Sequence, residues 1–109
     1  MAYDDALAGR IRELLGTRAT EEKKIFGGLA FMIGGNMAIA ASSNGGIIVR
    51  VDPARGPELA ATTDADLMEM RGKTMAGWLR IASEDVADDS ELTTWVERGA
   101  AYAASLPPK

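Results

Sequence analysis

Three apolar runs in the first half of the chain are joined by short glycine-rich turns, and that spacing leaves little freedom in the fold. Lys24-Ile25-Phe26-Gly27-Gly28 leads into Leu29-Ala30-Phe31-Met32-Ile33, which stops at Gly34-Gly35-Asn36. Leu29, Phe31 and Ile33 alternate in direction with Ala30 and Met32, so the segment reads as a strand with two apolar faces. Glycine reaches positive φ cheaply, so Gly27-Gly28 and Gly34-Gly35 are expected to be structural turns. Met37, Ile39 and Ala41, alternating with Ala38 and Ala40, form the expected return strand. Ser42-Ser43-Asn44-Gly45-Gly46 contains an Asn-Gly hairpin signal, and Ile47 to Val51 follows as the next strand. Glu21 to Phe26 is expected to supply one strand before these.

Helices are expected at both ends. Leu7, Ile11, Leu14 and Leu15 make one stripe of a helix over 3–15, with Asp4 or Asp5 as N-cap and Gly16 at its end. Arg10, Arg12 and Glu13 take its wet side. Asp88-Asp89-Ser90-Glu91 is a capping-box pattern that opens a helix running to about Ser105, before Pro107-Pro108. Its apolar face is Leu92, Trp95, Val96, Gly99, Tyr102, Ala103 and Leu106. Gly99 in that face points to close contact with a bulky neighbour.

Between these, Asp52-Pro53 stops the sheet and can start a short helical turn toward Leu59 and Ala60. Thr62 to Ala65 reads as loop, Leu67 to Met70 as a short strand, and Arg71-Gly72-Lys73 as a turn. Met75 to Ile81 reads as a strand with Trp78 and Arg80 opposite Met75, Gly77, Leu79 and Ile81. The expected fold is α+β. It is a two-layer sandwich with an antiparallel sheet of five to six strands and the N- and C-terminal helices packed on one face. The order is α-β-β-β-β-(short turn or helix)-β-β-α, in a single domain over 1–109.

Composition narrows the chemistry. The chain has no cysteine and no histidine, which removes thiolate chemistry, the commonest general base and the commonest metal ligand. Its net charge of −4 disfavours non-specific binding to nucleic acid or anionic membrane. No apolar run approaches the roughly 20 residues of a membrane span, and a cytoplasmic location is the expectation.

Individual constellations give little more. Gly72-Lys73-Thr74 resembles the tail of a phosphate loop, but Leu67 stands where the first glycine belongs, and a strand follows. Asp64 and Asp66, and Asp88, Asp89 and Glu91, are carboxylate clusters; the second is explained by helix capping. The methionines Met32, Met37, Met68, Met70 and Met75 fit core filling better than an adaptable surface. Lys23 and Arg71 belong to a scattered basic set. Within it Lys24, Arg50, Lys73 and Arg80, with Trp78, form the candidate interaction surface on one sheet face.

The run Lys24-Ile25-Phe26-Gly27-Gly28-Leu29-Ala30-Phe31-Met32 resembles the N-terminal domain of the TfoX/Sxy family, whose members carry K-x-F-G-G-x-x-F after the first helix. Met75-Ala76-Gly77-Trp78 is similar to a second family element. The closing helix with Trp95, and the ending Ala103-Ala104-Ser105-Leu106-Pro107-Pro108-Lys109, look like stand-alone bacterial members. The resemblance covers nearly the whole chain. It implies a two-layer α+β domain like those of secretion chaperones. For the full-length relatives it implies regulation of natural competence together with the cyclic-AMP receptor protein. The expectation is a short member without the helical C-terminal domain of those regulators.

The function expected is a non-enzymatic regulatory or protein-interaction module, with a link to transcriptional or competence regulation implied by the resemblance. No catalytic residue, cofactor or metal is assigned. An unidentified protein partner is expected, a homodimer is compatible with the reading, and direct DNA binding and membrane association are not expected. The alternatives are a nucleic-acid-associated module using the basic residues of the sheet face, and a small-molecule-binding domain.

Overall fold

The computed structural model describes all residues except 1, 2, 26, 44 and 109, and leaves the side chains of 25 and 70 undescribed. Phe26 of the expected first strand and glycine element, Asn44 of the Asn-Gly turn and Lys109 of the ending therefore lie outside the described residues. The elements are α1 (Asp5–Leu15), β1 (Glu21–Ile25), β2 (Gly28–Ile33), β3 (Asn36–Ala41), β4 (Ile47–Arg50), α2 (Gly56–Thr62), β5 (Asp66–Met70), β6 (Lys73–Ile81) and α3 (Asp89–Ser105). This is an α+β fold with a six-stranded antiparallel sheet in the order β1-β2-β3-β4-β6-β5.

Local chemistry sets the helix ends. Asp4 caps α1, its Oδ1 accepting from the N–H groups of Ala6 and Leu7 at 2.9 and 3.1 Å. Asp88 caps α3 in the same way, accepting from the Ser90 N–H at 2.8 Å and the Ser90 hydroxyl at 2.7 Å. Those bonds hold the Asp88 carboxyl below its usual range. Leu92, Trp95, Val96, Gly99, Ala100 and Ala103 form the buried face of α3. Tyr102 and Leu106, expected on that face, are only half-buried.

Both terminal helices and Leu59 of α2 cover one face of the sheet. Leu7, Ile11 and Leu15 of α1 and Leu92, Trp95 and Val96 of α3 share the main core with Leu29, Phe31, Ile39, Ile47, Val49, Leu79 and Ile81. Ion pairs lace the edges: Arg12 reaches Glu22 of β1 with two bonds of 2.6 and 2.9 Å, and Arg18 reaches Glu97 of α3 with bonds of 2.8 and 2.6 Å. Arg10 adds a bond of 2.8 Å to Asp89.

Several local expectations are corrected. Gly34 and Gly35 alone make the β2–β3 turn, both at positive φ (59° and 84°), while Asn36 is the first residue of β3, paired with Ile33. It is buried, and its Nδ2–H donates to the Pro107 carbonyl at 3.0 Å, drawing the C-terminal tail against the hairpin. Gly27 keeps its turn role (φ 78°), but Gly28 begins β2, where a Cβ would stand 2.4 Å from the Ala41 carbonyl oxygen.

Met37 does not share a face with Ile39 and Ala41. The β2–β3 register shifts between Phe31 and Met32, and the pairing runs Phe31↔Ile39 and then Met32↔Met37. Ala38 is the extra residue of this bulge; it joins Ile39 in the main core and sends Met37 to the opposite face. The nearest neighbour of Gly99 is the backbone of this bulge: a Cβ there would lie 2.4 Å from the Ala38 carbonyl oxygen, with the Val49 side chain next at 3.2 Å.

Asp52 caps only a turn, accepting from the Ala54 N–H at 2.9 Å, and α2 starts at Gly56 with Pro57 in its first turn. Lys73 opens β6 instead of closing the turn, which is Arg71-Gly72, both at positive φ.

Candidate functional site

The register assigns every strand residue to a face. Cross-strand partners share a side, so the chain of pairs Lys23↔Ala30, Ala30↔Ala40, Ala40↔Ile48, Ile48↔Arg80 and Arg80↔Asp66 is one row across all six strands. It lies on the face opposite the helices. Two further sets of pairs lie on that face, Glu21↔Met32↔Met37 and Arg50↔Trp78.

These rows hold a second, smaller apolar cluster. Ala30, Met37 and Ala40 are buried, with half-buried Met32, Ile48 and Trp78 packed against them. Large side chains thus roof over the alanines and present their outer surfaces to water. The rim is charged: Lys23 and Glu21 at the β1 end, Arg50, Arg80 and Asp66 at the other. The Arg50 guanidinium lies 5.3 Å from the centre of the Trp78 ring, a cation–π arrangement that orders both side chains.

Of the five residues expected on one surface, the structure brings Arg50, Trp78 and Arg80 together. Lys24 pairs with Leu29, a core residue of the helix-bearing side, so Lys24 faces away from Trp78. The basic residue of β1 on the Trp78 side is Lys23. Period-two alternation makes this a one-residue question, and the missing anchor was the register of β1 against β2. Lys73 sits at the first position of β6, by the Arg71-Gly72 turn and far along the strand from Arg80.

A groove at the end of the sheet was not anticipated. It has a volume of about 240 Å³ and lies between the start of α2 and the last turns of α3. Val51, Leu59, Ala101 and Tyr102 give it apolar walls; Arg55, Arg98 and Asp52 supply its charged groups. Arg98 lies 4.6 Å from the centre of the Trp95 ring, and Arg50 reaches around the sheet end to 5.8 Å from the centre of the Tyr102 ring. A signal was present in the sequence: Arg98 stands three residues after Trp95 and four before Tyr102, the spacing of neighbours on a helix.

Among the described residues no group of three or more His, Cys, Asp or Glu is placed to hold a metal ion. The hairpin Arg71-Gly72 leads into strand, so Lys73-Thr74 has no helix N-terminus behind it. Among the described residues, no helix is long and apolar enough to cross a membrane.

The family model of the TfoX N-terminal domain matches residues 13–103, from within α1 to near the end of α3. No curated protein and no solved structure matches the chain.

Proposed function

The chain belongs to the TfoX N-terminal domain family, and on that premise we propose that it is a non-enzymatic protein-interaction module whose contact surface is the helix-free face of the sheet. The observation that carries the reading is the half-buried trio Met32, Ile48 and Trp78, held over sealed alanines and rimmed by Arg50 and Arg80. Aromatic, methionine and arginine side chains are the types enriched at protein interfaces, and a tryptophan beside an arginine is a common energetic anchor. A chain without histidine or cysteine also lacks the commonest general base and the thiolate nucleophile. The resemblance to competence regulators makes transcriptional regulation the setting in which a partner is sought.

A nucleic-acid role for the same face is less well supported. Asp66 pairs with Arg80 in the row that holds Lys23, and Glu21 lies two residues from Lys23 on the same face of β1, whereas a phosphate backbone favours a continuous basic track. The test is capture from native lysate by tagged protein, with and without nuclease, comparing wild type with Trp78→Ala. A partner that survives nuclease and is lost with Trp78→Ala is expected. Identical capture by both proteins, or capture abolished by nuclease, refutes the proposal.

A further inference from the structure

The groove between α2 and α3 lies apart from the sheet face, and it is adjoined by two arginines, Arg50 and Arg98, that form no ion pair among the described residues. The ion pairs among the described residues engage Arg10, Arg12, Arg18 and Arg55. Arg50 and Arg98 instead lie over aromatic rings: Arg98 over Trp95, Arg50 between Trp78 and Tyr102. Their N–H groups remain available for bidentate bonds to carboxylates, which a guanidinium stacked on a ring is well oriented to make. Arg55 is engaged only with Glu58, in an exposed pair at 3.0 Å that a stronger partner can displace.

Size decides what enters. Pockets for drug-sized molecules run from about 300 to 1,000 Å³. At about 240 Å³ this groove is below that range, and its apolar walls suit one bulky aliphatic or aromatic side chain. We propose that the groove receives such a side chain from an acidic segment of a partner protein, whose flanking carboxylates pair with Arg98 and, around the Tyr102 ring, with Arg50. The inference rests on the interaction reading above and specifies the chemistry of the partner.

The charges facing the groove set the orientation of the segment. Asp52 stands on the α2 side, where its Oδ1 accepts from the Ala54 N–H, and Glu58 accompanies Arg55. The partner's carboxylates therefore lie toward α3, away from Asp52. The net charge of −4 does not forbid this, because charges beyond about 8 Å are largely screened at physiological salt. Association is then governed by the local arginines and weakens as salt rises.

The probe is the fluorescein-labelled peptide Asp-Asp-Leu-Asp-Phe-Asp-Asp with a blocked C-terminus, followed by anisotropy against the full chain. A second peptide has every aspartate replaced by asparagine. Saturable binding of the acidic peptide is expected, weakened at least tenfold by the asparagine exchange, by Arg98→Gln and by Ala101→Glu. Ala101 is exposed, so Ala101→Glu places a carboxylate in the groove without touching the core, and its unfolding midpoint should match wild type. The proposal is overturned by absence of saturation up to about 1 mM, the weak end of specific recognition. It is equally overturned by binding indifferent to Ala101→Glu, or by displacement of the peptide by a poly-thymidine strand. If the peptide fails while Trp78-dependent capture persists, the groove is removed and the interaction reading stands. If the peptide binds through Ala101 and Arg98 while capture ignores Trp78, the groove is supported and the sheet-face assignment falls.

Discussion

Gly99→Ala tests how closely α3 is seated on the sheet. The added Cβ would stand 2.4 Å from the Ala38 carbonyl oxygen and 3.2 Å from Val49 Cγ1, whereas ordinary contact begins at 3.4 Å. The closer contact is backbone, on a bulge held by its own register, so it cannot rotate away as a side chain would. The helix must withdraw by about 1 Å, the difference between those two distances. A gap of 0.5–1 Å forfeits about a quarter to a half of each dispersion contact along Leu92, Trp95, Val96, Ala100 and Ala103. Overpacking of this kind costs about 1–3 kcal/mol, and an unyielding backbone contact places Gly99→Ala toward the upper end. Alanine returns about 1 kcal/mol of helix propensity. The net expectation is a loss of about 2 kcal/mol, a fall in melting temperature on the order of 10 °C for a domain of this size. Gly9→Ala supplies the opposite sign: Gly9 lies in α1 with nothing within 4 Å of a built Cβ, so the same exchange should stabilise by about 0.5–1 kcal/mol. Thermal and urea unfolding followed by circular dichroism read both. A Gly99→Ala protein as stable as Gly9→Ala would refute the reasoning, because α3 would then not be held at the distance described.

Trp95 is buried in the main core and Trp78 half-buried on the other face; Trp95→Ala should lose about 3–5 kcal/mol and Trp78→Ala on the order of 1–2 kcal/mol, and the reverse order in denaturation midpoints would invert the two faces. Hydrogen bonds from Arg12 and Arg18 hold the Glu22 and Glu97 carboxyls below the usual value of 4.5. Their contribution is therefore present above that value and lost as pH falls through the depressed one. Glu22→Gln should melt lower than wild type at pH 7 by no more than about 1 kcal/mol of stability, the pair being partly exposed, and the two curves should meet in acid; a gap that widens in acid contradicts the assignment. Asn36→Ala removes the bond to the Pro107 carbonyl and should cost about 1 kcal/mol, with faster carboxypeptidase trimming of the tail; unchanged trimming would show that the bond does not hold the tail.

Short-range physics is what the sequence determined by itself. Asp4, Asp88 and Gly34-Gly35 act on backbone within three residues of themselves, so the limits of α3 and the β2–β3 turn follow from neighbouring residue types. Alternation separated Leu29 and Phe31 from Ala30, and Leu79 and Ile81 from Trp78, because side-chain direction in a strand has a period of two. The tertiary structure decided whatever depends on pairing between distant segments. β6 enters beside β4 and leaves β5 at the edge, although β5 comes first in the chain. One bulged residue, Ala38, transferred Met37 to the other face, and the β1–β2 register placed Lys23 rather than Lys24 beside the apolar rows. The Tyr102 groove exists only where the segment after β4, α2 and α3 meet, and its arginines, Arg55 and Arg98, come from segments far apart in sequence. A one-residue shift in register reverses every side chain of a strand while leaving its local pattern intact, so only the packed sheet can settle which residues share a surface.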